Sequence, residues 1–434
     1  MVIGEAIRDW SVSEVPCAFF PYDSNFCPVP PEDEGLRILW PYRSNLSNNK
    51  LFAGKTKVEG GLRWYEYGRL TSDKLRTPLS IAFAEVVSHN HFVLDRGGKV
   101  FNRTAPIIKL KAGATEEEHL ALLAYLNSST ACFWMKQVCF NKGSAEGLLA
   151  ERSKDRIQLM VARGTTGGGG NYEFAGTAIS GLPIPKGWNT GQLTTLGREA
   201  TDLGRSYTEV LPSVHRARVA EDFPQLRSEW VGERERIRAR LVAVQEQIDW
   251  VVYGLFGLVG APLVGDKADW QNSSIEPGQR PFEIALARAH STTGDLPVFG
   301  NDGHRYEHQP PARLSSELAR IWEARAVIGD RQLSHCEGPG AKRRWRVPAY
   351  KDDFDARLAD YVLEAVEREV QGCSEVSKRS VLERRATQGH EAVAAAIGFL
   401  GSVDFLALLA QDAVPFLAAY RHTESGLEKR TQWE

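Results

Sequence analysis

Two clusters of residues have the types and spacing for recognition chemistry. The first interleaves cations and aromatics: Trp40, Tyr42, Arg43, Lys55, Lys57, Arg63, Trp64, Tyr65, Tyr67 and Arg69. Lysine and arginine neutralise phosphates, arginine and asparagine read base edges, and aromatic rings stack on exposed bases. Arg43, Lys55, Lys57, Arg63 and Trp64 are therefore candidate DNA-binding residues. The bland alternative is a solvated basic face with a few core aromatics. The second cluster is His89-Asn90-His91, followed by the Asp95–Gly98 turn and by Arg96, Lys99 and Arg103. Asparagine pairs bidentately with adenine, and histidine or arginine can donate to guanine. Gly97 and Gly98 would let the backbone approach a groove closely. The alternative weighs as much: Asn90 capping a turn, and the histidines bonded within the fold. Alternation along a strand would put His89 and His91 on one face with Asp95 as a third ligand. No further cysteine or histidine stands near, so no metal site is expected.

Other chemistries find no residues to carry them. The sequence holds no G-x-x-x-x-G-K-[ST] loop, no G-x-G-x-x-G, no G-x-S-x-G elbow and no H-E-x-x-H. The Gly164–Gly170 stretch reads as linker. No set of two carboxylates and a lysine resembles a magnesium nuclease. No residue is nominated as catalytic, cofactor-binding or metal-ligating.

The charge is unevenly placed. The 434 residues carry a net charge of −2, yet Gly35–Ala112 holds 14 Lys and Arg against 5 Asp and Glu. That segment is +9 and the remainder −11, an asymmetry that points to an anionic partner at the segment. Six cysteines without a C-x-x-C pair argue against a disulfide scaffold or a zinc ribbon. The opening MVIGEAIRDW has no apolar signal region. Ala392–Leu409 contains Asp404 and two glycines and reads as a buried helix, not a membrane span. A cytoplasmic protein without membrane contact is expected.

The elements that would position these residues are legible in outline. The run Ser80–Leu94 and the segment KVFNRTAPIIKL read as two strands joined at Asp95–Gly98. Glu116–Gln137 reads as one helix with its glutamates at the positive end of the dipole. Phe223, Leu226, Trp230, Ile237, Leu241, Val244, Ile248, Val251 and Leu255 form an apolar seam on a helix of about 30 residues, a spacer or half of a helical pair. Leu314–Ala326, Phe354–Val370 and Val381–Leu409 read as further helices.

At SHNHFVLDRGGKVFNRTAPIIKL, Ser88–Leu110, the sequence resembles the carboxy-terminal half of the PglX family, the adenine-specific DNA methyltransferases of BREX phage-defence systems. Further blocks agree in order: LWPYRSNL at Leu39–Leu46, LLAYLNSSTACFWMKQV at Leu122–Val138 and NYEFAGTAISGLPIP at Asn171–Pro185. VAVQEQIDWVVYGLFGL at Val242–Leu258, RPFEIALAR at Arg280–Arg288, KRRW at Lys342–Trp345 and VPFLAAYRHTESGLEKRTQWE at Val414–Glu434 continue the series. The resemblance implies N6-adenine methylation from S-adenosylmethionine by an amino-terminal methylase domain, with carboxy-terminal domains recognising the target. The chain departs from that pattern. It has no F-x-G-x-G, and its Pro-Pro pairs at Pro30-Pro31 and Pro310-Pro311 lack the [DNS]-P-P-[YFW] frame that holds a flipped adenine.

The expected architecture is an α/β (α+β) target-recognition domain at 1–187, a helical spacer at 188–260 and a mainly helical carboxy-terminal domain at 261–434, the whole being a fragment, a split subunit or a truncated product. The expected partners are double-stranded DNA, a methylase domain or subunit, and other BREX proteins. No cofactor is expected in this chain, and S-adenosylmethionine in the full-length family. The rivals are an interaction or scaffold subunit of the defence complex and a methyltransferase active in its own right. If His89, Asn90 and His91 read bases, Asn90→Ala shrinks the cognate-to-random affinity ratio and leaves the melting temperature unchanged.

Overall fold

The computed structural model describes residues 1–13, 18–51, 54–76, 78–142, 170–260, 263–265, 273–291, 306–331, 333–345, 348–370 and 391–400. In chain order the helices are α1 (Asp33–Leu39), α2 (Arg43–Asn48), α3 (Ser72–Arg76), α4 (Glu116–Leu126), α5 (Ser129–Val138), α6 (Gly176–Ile179) and α7 (Gly191–Glu209). They continue with α8 (Phe223–Leu255), α9 (Pro281–Ser291), α10 (Ser316–Arg331), α11 (Tyr350–Val370) and α12 (Glu391–Leu400). The strands are β1 (Ile7–Arg8), β2 (Ser11–Val12), β3 (Ser80–Phe83), β4 (Val86–Val87), β5 (Phe92–Asp95), β6 (Ile107–Ile108), β7 (Phe140–Asn141) and β8 (Tyr172–Glu173). The named strands pair antiparallel in three small sheets, β1-β2, β5-β3-β6 and β4-β8-β7. Small antiparallel sheets followed by helices make this an α+β chain, as expected. No helix among the described residues is long and apolar enough to cross a membrane.

The chain divides into two compact units that interleave in sequence. One comprises Met1–Cys17, Lys74–Val210 and Glu233–Pro348; the other comprises Ala18–Asp73, Leu211–Gly232 and Ala349–Glu434. Their bounds fall elsewhere than at 187 and 260.

In the first unit, β3 pairs with β5 in the register Ser80↔Asp95 to Phe83↔Phe92, and with β6 through Ile81↔Ile108. The hairpin therefore lies within residues 80–95, and the expected joint at Asp95–Gly98 is corrected. Gly97 and Gly98 do form a turn with φ of 104° and 75°, but it leads away from β5, and the next strand joins the opposite edge of β3. The buried run of β3 explains the choice: all four of its residues are inside, so it needs a partner on each edge.

The expected single helix over 116–137 is two. Thr115 and Glu118 form a reciprocal capping box at the start of α4. Asn127 then ends α4, and the Ser128 hydroxyl accepts from Ala131 N at 3.2 Å to start α5. A capping serine competes with helix continuation, and periodicity alone does not register that break.

The long helix α8 is present as the apolar seam predicts. Its residues 241–253 are all buried. The Val381–Leu409 expectation is met over Glu391–Leu400; its other residues lie outside those described, as does 164–169 of the glycine stretch. In the second unit, Phe223 and Trp230 meet Phe354, with Phe399 5.0 Å from Phe223 and Tyr350 5.9 Å from Trp230. Cys27, Cys132, Cys139 and Cys336 are unbridged.

Helices α4 and α7 approach closely at Gly197, where a Cβ would run into the Leu120 carbonyl oxygen. Alanine gains about 1 kcal/mol of helix propensity over glycine, but overpacking costs about 1–3 kcal/mol, and a backbone oxygen cannot swing aside. Gly197→Ala is therefore expected to lower the urea midpoint, and an unchanged or higher midpoint would contradict this packing.

Candidate nucleic-acid interface and its buried support

The sequence-predicted cationic residues are divided between the two units. Arg43, Lys55, Lys57, Arg63 and Trp64 belong to the second unit, and His89 to Arg103 belong to the first.

In the second unit, Arg43, Lys55 and Arg63 are exposed and Trp64 is half-buried. The Arg43 guanidinium lies 4.7 Å from the Trp40 ring centroid, and Arg63 donates to Tyr65 Oη at 2.8 Å. Lys57 differs: it is 3% exposed, and its Nζ donates to the Trp64 carbonyl at 3.0 Å. Burial holds its ammonium below the usual lysine range. Lys57 shapes the loop and does not present its charge to a partner in this structure.

In the first unit, Arg96, Lys99 and Arg103 are exposed. Arg96 pairs with Glu116 at 2.8 Å, and Lys99 pairs with Asp95 at 3.1 Å. Asp95 is thereby committed to the turn, where it also accepts from Gly97 N at 3.2 Å.

The triplet His89-Asn90-His91 is inside. Asn90, 1% exposed, donates through Nδ2 to the carbonyls of Leu126 at 2.6 Å and Ser128 at 3.0 Å. It ties the sheet to the α4–α5 break. Asn127 completes the tie with a two-way bond to the Phe92 backbone at 3.0 Å each way. His89 Nε2 is 3.1 Å from the Pro339 carbonyl. Burial, with Lys136 and Arg344 nearby, pushes its pKa well down, so the ring is neutral. His91 Nδ1 accepts from Arg343 at 2.6 Å and from Asp9 N at 3.2 Å. In this structure the triplet follows the structural alternative, a buried joint, and its polar atoms are turned inward.

The joint rests on a buried charge cluster that the sequence reading did not single out. Arg343, 3% exposed, reaches the Asn90 carbonyl at 2.9 Å, Asn127 Oδ1 at 2.7 Å and Asp9 Oδ1 at 3.2 Å. Beside it, Lys342 Nζ lies 2.8 Å from Glu246, 3.0 Å from Asp249 and 2.5 Å from Glu337, all buried. Burial pulls the lysine pKa down, but the three carboxylates outweigh it and raise the pKa. Glu337 also accepts from Tyr253 Oη at 2.5 Å, and Asp249 Oδ1 accepts from Ser129 N at 2.8 Å. Arg325, wholly buried, bonds Gln247 Oε1 at 2.7 Å and the Leu263 carbonyl. Its guanidinium stands 5.0 Å and 5.2 Å from the rings of Trp250 and Trp322.

Glu246, Asp249 and Glu337 are the three acidic residues among those described whose spacing suits a metal ion. The Lys342 ammonium already sits on all three, so the donor set serves the lysine. The signal was present in the sequence as Gln245, Glu246, Gln247 and Asp249 breaking an apolar helical run, and as the Lys342-Arg343 pair. Polar residues on a seam otherwise fit for burial need buried partners.

Residues 241–434 match a family described as a domain of unknown function, DUF7008. Over its whole length the chain is also 33% identical, across 451 aligned positions, to the adenine-specific methyltransferase PglX of Streptomyces coelicolor (strain ATCC BAA-471 / A3(2) / M145). It matches the carboxy-terminal part of that protein and spans 36% of its length. The resemblance expected from the ordered sequence blocks is thus shown.

Two predictions follow from the buried cluster. Asn90→Ala removes the side-chain donor to the Leu126 carbonyl and one of two donors to the Ser128 carbonyl, which keeps Cys132 N at 3.0 Å, at a cost of about 1–3 kcal/mol. The melting temperature is expected to fall, reversing the expectation from sequence, and an unchanged one would return Asn90 to a recognition role. Burial raises the Glu246 pKa to about 7, against the pull of Lys342 and with help from Glu337 and Asp249. An acid whose folded pKa lies above its unfolded value contributes stability below the unfolded value and loses it as pH rises through the folded one. Between about pH 5 and pH 8 the wild-type chain is expected to lose on the order of 2–3 kcal/mol from this group. Urea unfolding at both pH values checks it: Glu246→Gln flattens the dependence, and an equal slope in both proteins counts against it.

Proposed function

We propose that the chain is the DNA target-recognition part of a PglX-like adenine-specific methyltransferase. It binds duplex DNA and presents one adenine to a methylase domain outside these 434 residues, in phage defence alongside other BREX proteins. The observation that carries the reading is the likeness over the whole chain to a protein named as an adenine-specific methyltransferase. The excess of cations over Gly35–Ala112 supports it. Lys55 and Arg103 are exposed and make no ion pair among the described residues, whereas Arg96 and Lys99 must exchange a carboxylate for a phosphate. Arg43 and Arg63 supply further charge beside aromatic rings.

Adenosylmethionine does not fit the elements described. The named strands form short antiparallel sheets, with no parallel βα crevice among the described residues, and the sequence holds no G-x-G-x-x-G or F-x-G-x-G loop for the donor. The methyl-transfer chemistry is therefore assigned to the methylase domain, and the role of this chain is positioning.

Binding to a labelled duplex measured from 50 to 200 mM salt tests the reading. Affinity is expected to fall steeply with salt, and the slope to drop by about one for each phosphate contact removed. Lys55→Ala with Arg103→Ala is expected to change the slope more than Arg96→Ala with Lys99→Ala. Salt-insensitive binding, or a slope that none of the substitutions moves, would remove DNA from the reading. Labelled methyl from S-adenosylmethionine is expected not to reach DNA with this chain alone. Its transfer would place a catalytic site within these residues.

A further inference from the structure

The second unit carries a cation–aromatic array that phosphate neutralisation does not account for. Trp40, at the end of α1, is 52% exposed, and Tyr42 is 38% exposed. Apolar residues gathered on a surface, unlike ones scattered singly, mark interaction sites. Trp64 meets the Trp40 ring edge-on at 6.2 Å, and Tyr65 meets Trp64 at 5.5 Å. A guanidinium stands at each end: Arg43 is 4.7 Å from the Trp40 centroid, and Arg63 is 6.0 Å from the Tyr65 centroid.

The array is held from beneath. Lys57, buried, anchors the Trp64 carbonyl at 3.0 Å, while its own backbone N–H donates to the Asn49 carbonyl at 2.8 Å. The buried Glu66 accepts from Arg63 N at 2.8 Å. Arg63 reaches the Pro28 carbonyl at 3.2 Å. The rings are thus set before any ligand arrives, which lowers the ordering cost of binding.

The chemistry of the array selects its ligand. Flat π faces take a flat heterocycle, and the flanking guanidiniums take an anion beside it. From Gly35 to Val58 the chain has four Lys and Arg besides the buried Lys57 and no Asp or Glu, so the surroundings repel cations and attract a polyanion. A fully paired duplex hides its base faces in the stack and offers nothing to the rings. We propose that Trp40 and Trp64 form a stacking platform for an unpaired nucleotide, with Arg43 and Arg63 on its phosphates. The proposal rests on the DNA reading above and adds that the chain engages a base outside the helix.

The test compares three probes on the intact chain: a paired duplex, the same duplex carrying one unpaired adenine, and single-stranded (dA)8 read by tryptophan fluorescence. The bulged duplex is expected to bind roughly tenfold to hundredfold tighter than the paired one. Trp40→Ala with Trp64→Ala abolishes that preference, Trp40→Ala alone reduces it and leaves paired-duplex affinity within about twofold, while Trp40→Phe with Trp64→Phe keeps most of it. Circular dichroism checks the fold, and the exposed Trp40→Ala alone serves if the double variant is unstable. Equal binding of bulged and paired duplex would overturn the platform and leave the duplex reading intact. Binding and quenching by (dA)8 without binding of the paired duplex would support the platform and remove duplex recognition. No binding of any probe would overturn both.

Discussion

The first unit depends on one buried ammonium. Lys342 sits among Glu246, Asp249 and Glu337 with no exposed surface. Each of these charges alone is several kcal/mol less stable inside than in water. Their mutual attraction at low dielectric, with hydrogen bonds to Tyr253 and Ser129, offsets that cost only while every partner is in place. Removing one partner from such a set typically costs about 3–5 kcal/mol. The cluster is therefore a condition on how the surrounding elements meet, and a strong one.

Those elements come from distant parts of the sequence. Helix α8 supplies Gln245, Glu246, Gln247 and Asp249 from little more than one turn, and the 333–345 segment supplies Glu337, Lys342 and Arg343. Arg343 carries the network on to Asn90, His91, Asn127 and Asp9. Trp10 adds a bond from its Nε1 to Gln245 Oε1 at 2.9 Å. Residue 9 and residue 343 are thus neighbours in one polar core. The cluster thus joins segments of the first unit that pieces of the second unit separate in sequence.

The same cluster explains why the histidine triplet misleads. Histidine, asparagine and histidine beside a glycine turn have the donors and acceptors to read bases, and the sequence offers no measure of which way they face. Arg96, Lys99 and Arg103 stay at the surface, Lys99 with its ammonium on the buried Asp95 carboxylate. Among the aromatics near Arg43 and Arg63, the ordering comes from below, through Lys57 and Glu66, so two charged residues of that segment are structural.

The sequence alone determined the long helix α8, the start of α4, the turn at Gly97-Gly98, the uneven charge and the likeness to PglX. Each is written in local spacing, in turn residues or in ordered blocks, and local terms suffice to read them. The tertiary structure decided the strand partners of β3, the break at Asn127–Ser128, the burial of Lys57, His89, Asn90 and His91, and the partners of Lys342 and Arg343. These depend on which groups are taken out of water together. A lysine and a glutamate about a hundred residues apart carry no mark of that pairing in sequence, because the desolvation that makes it obligatory exists only once the chain is folded.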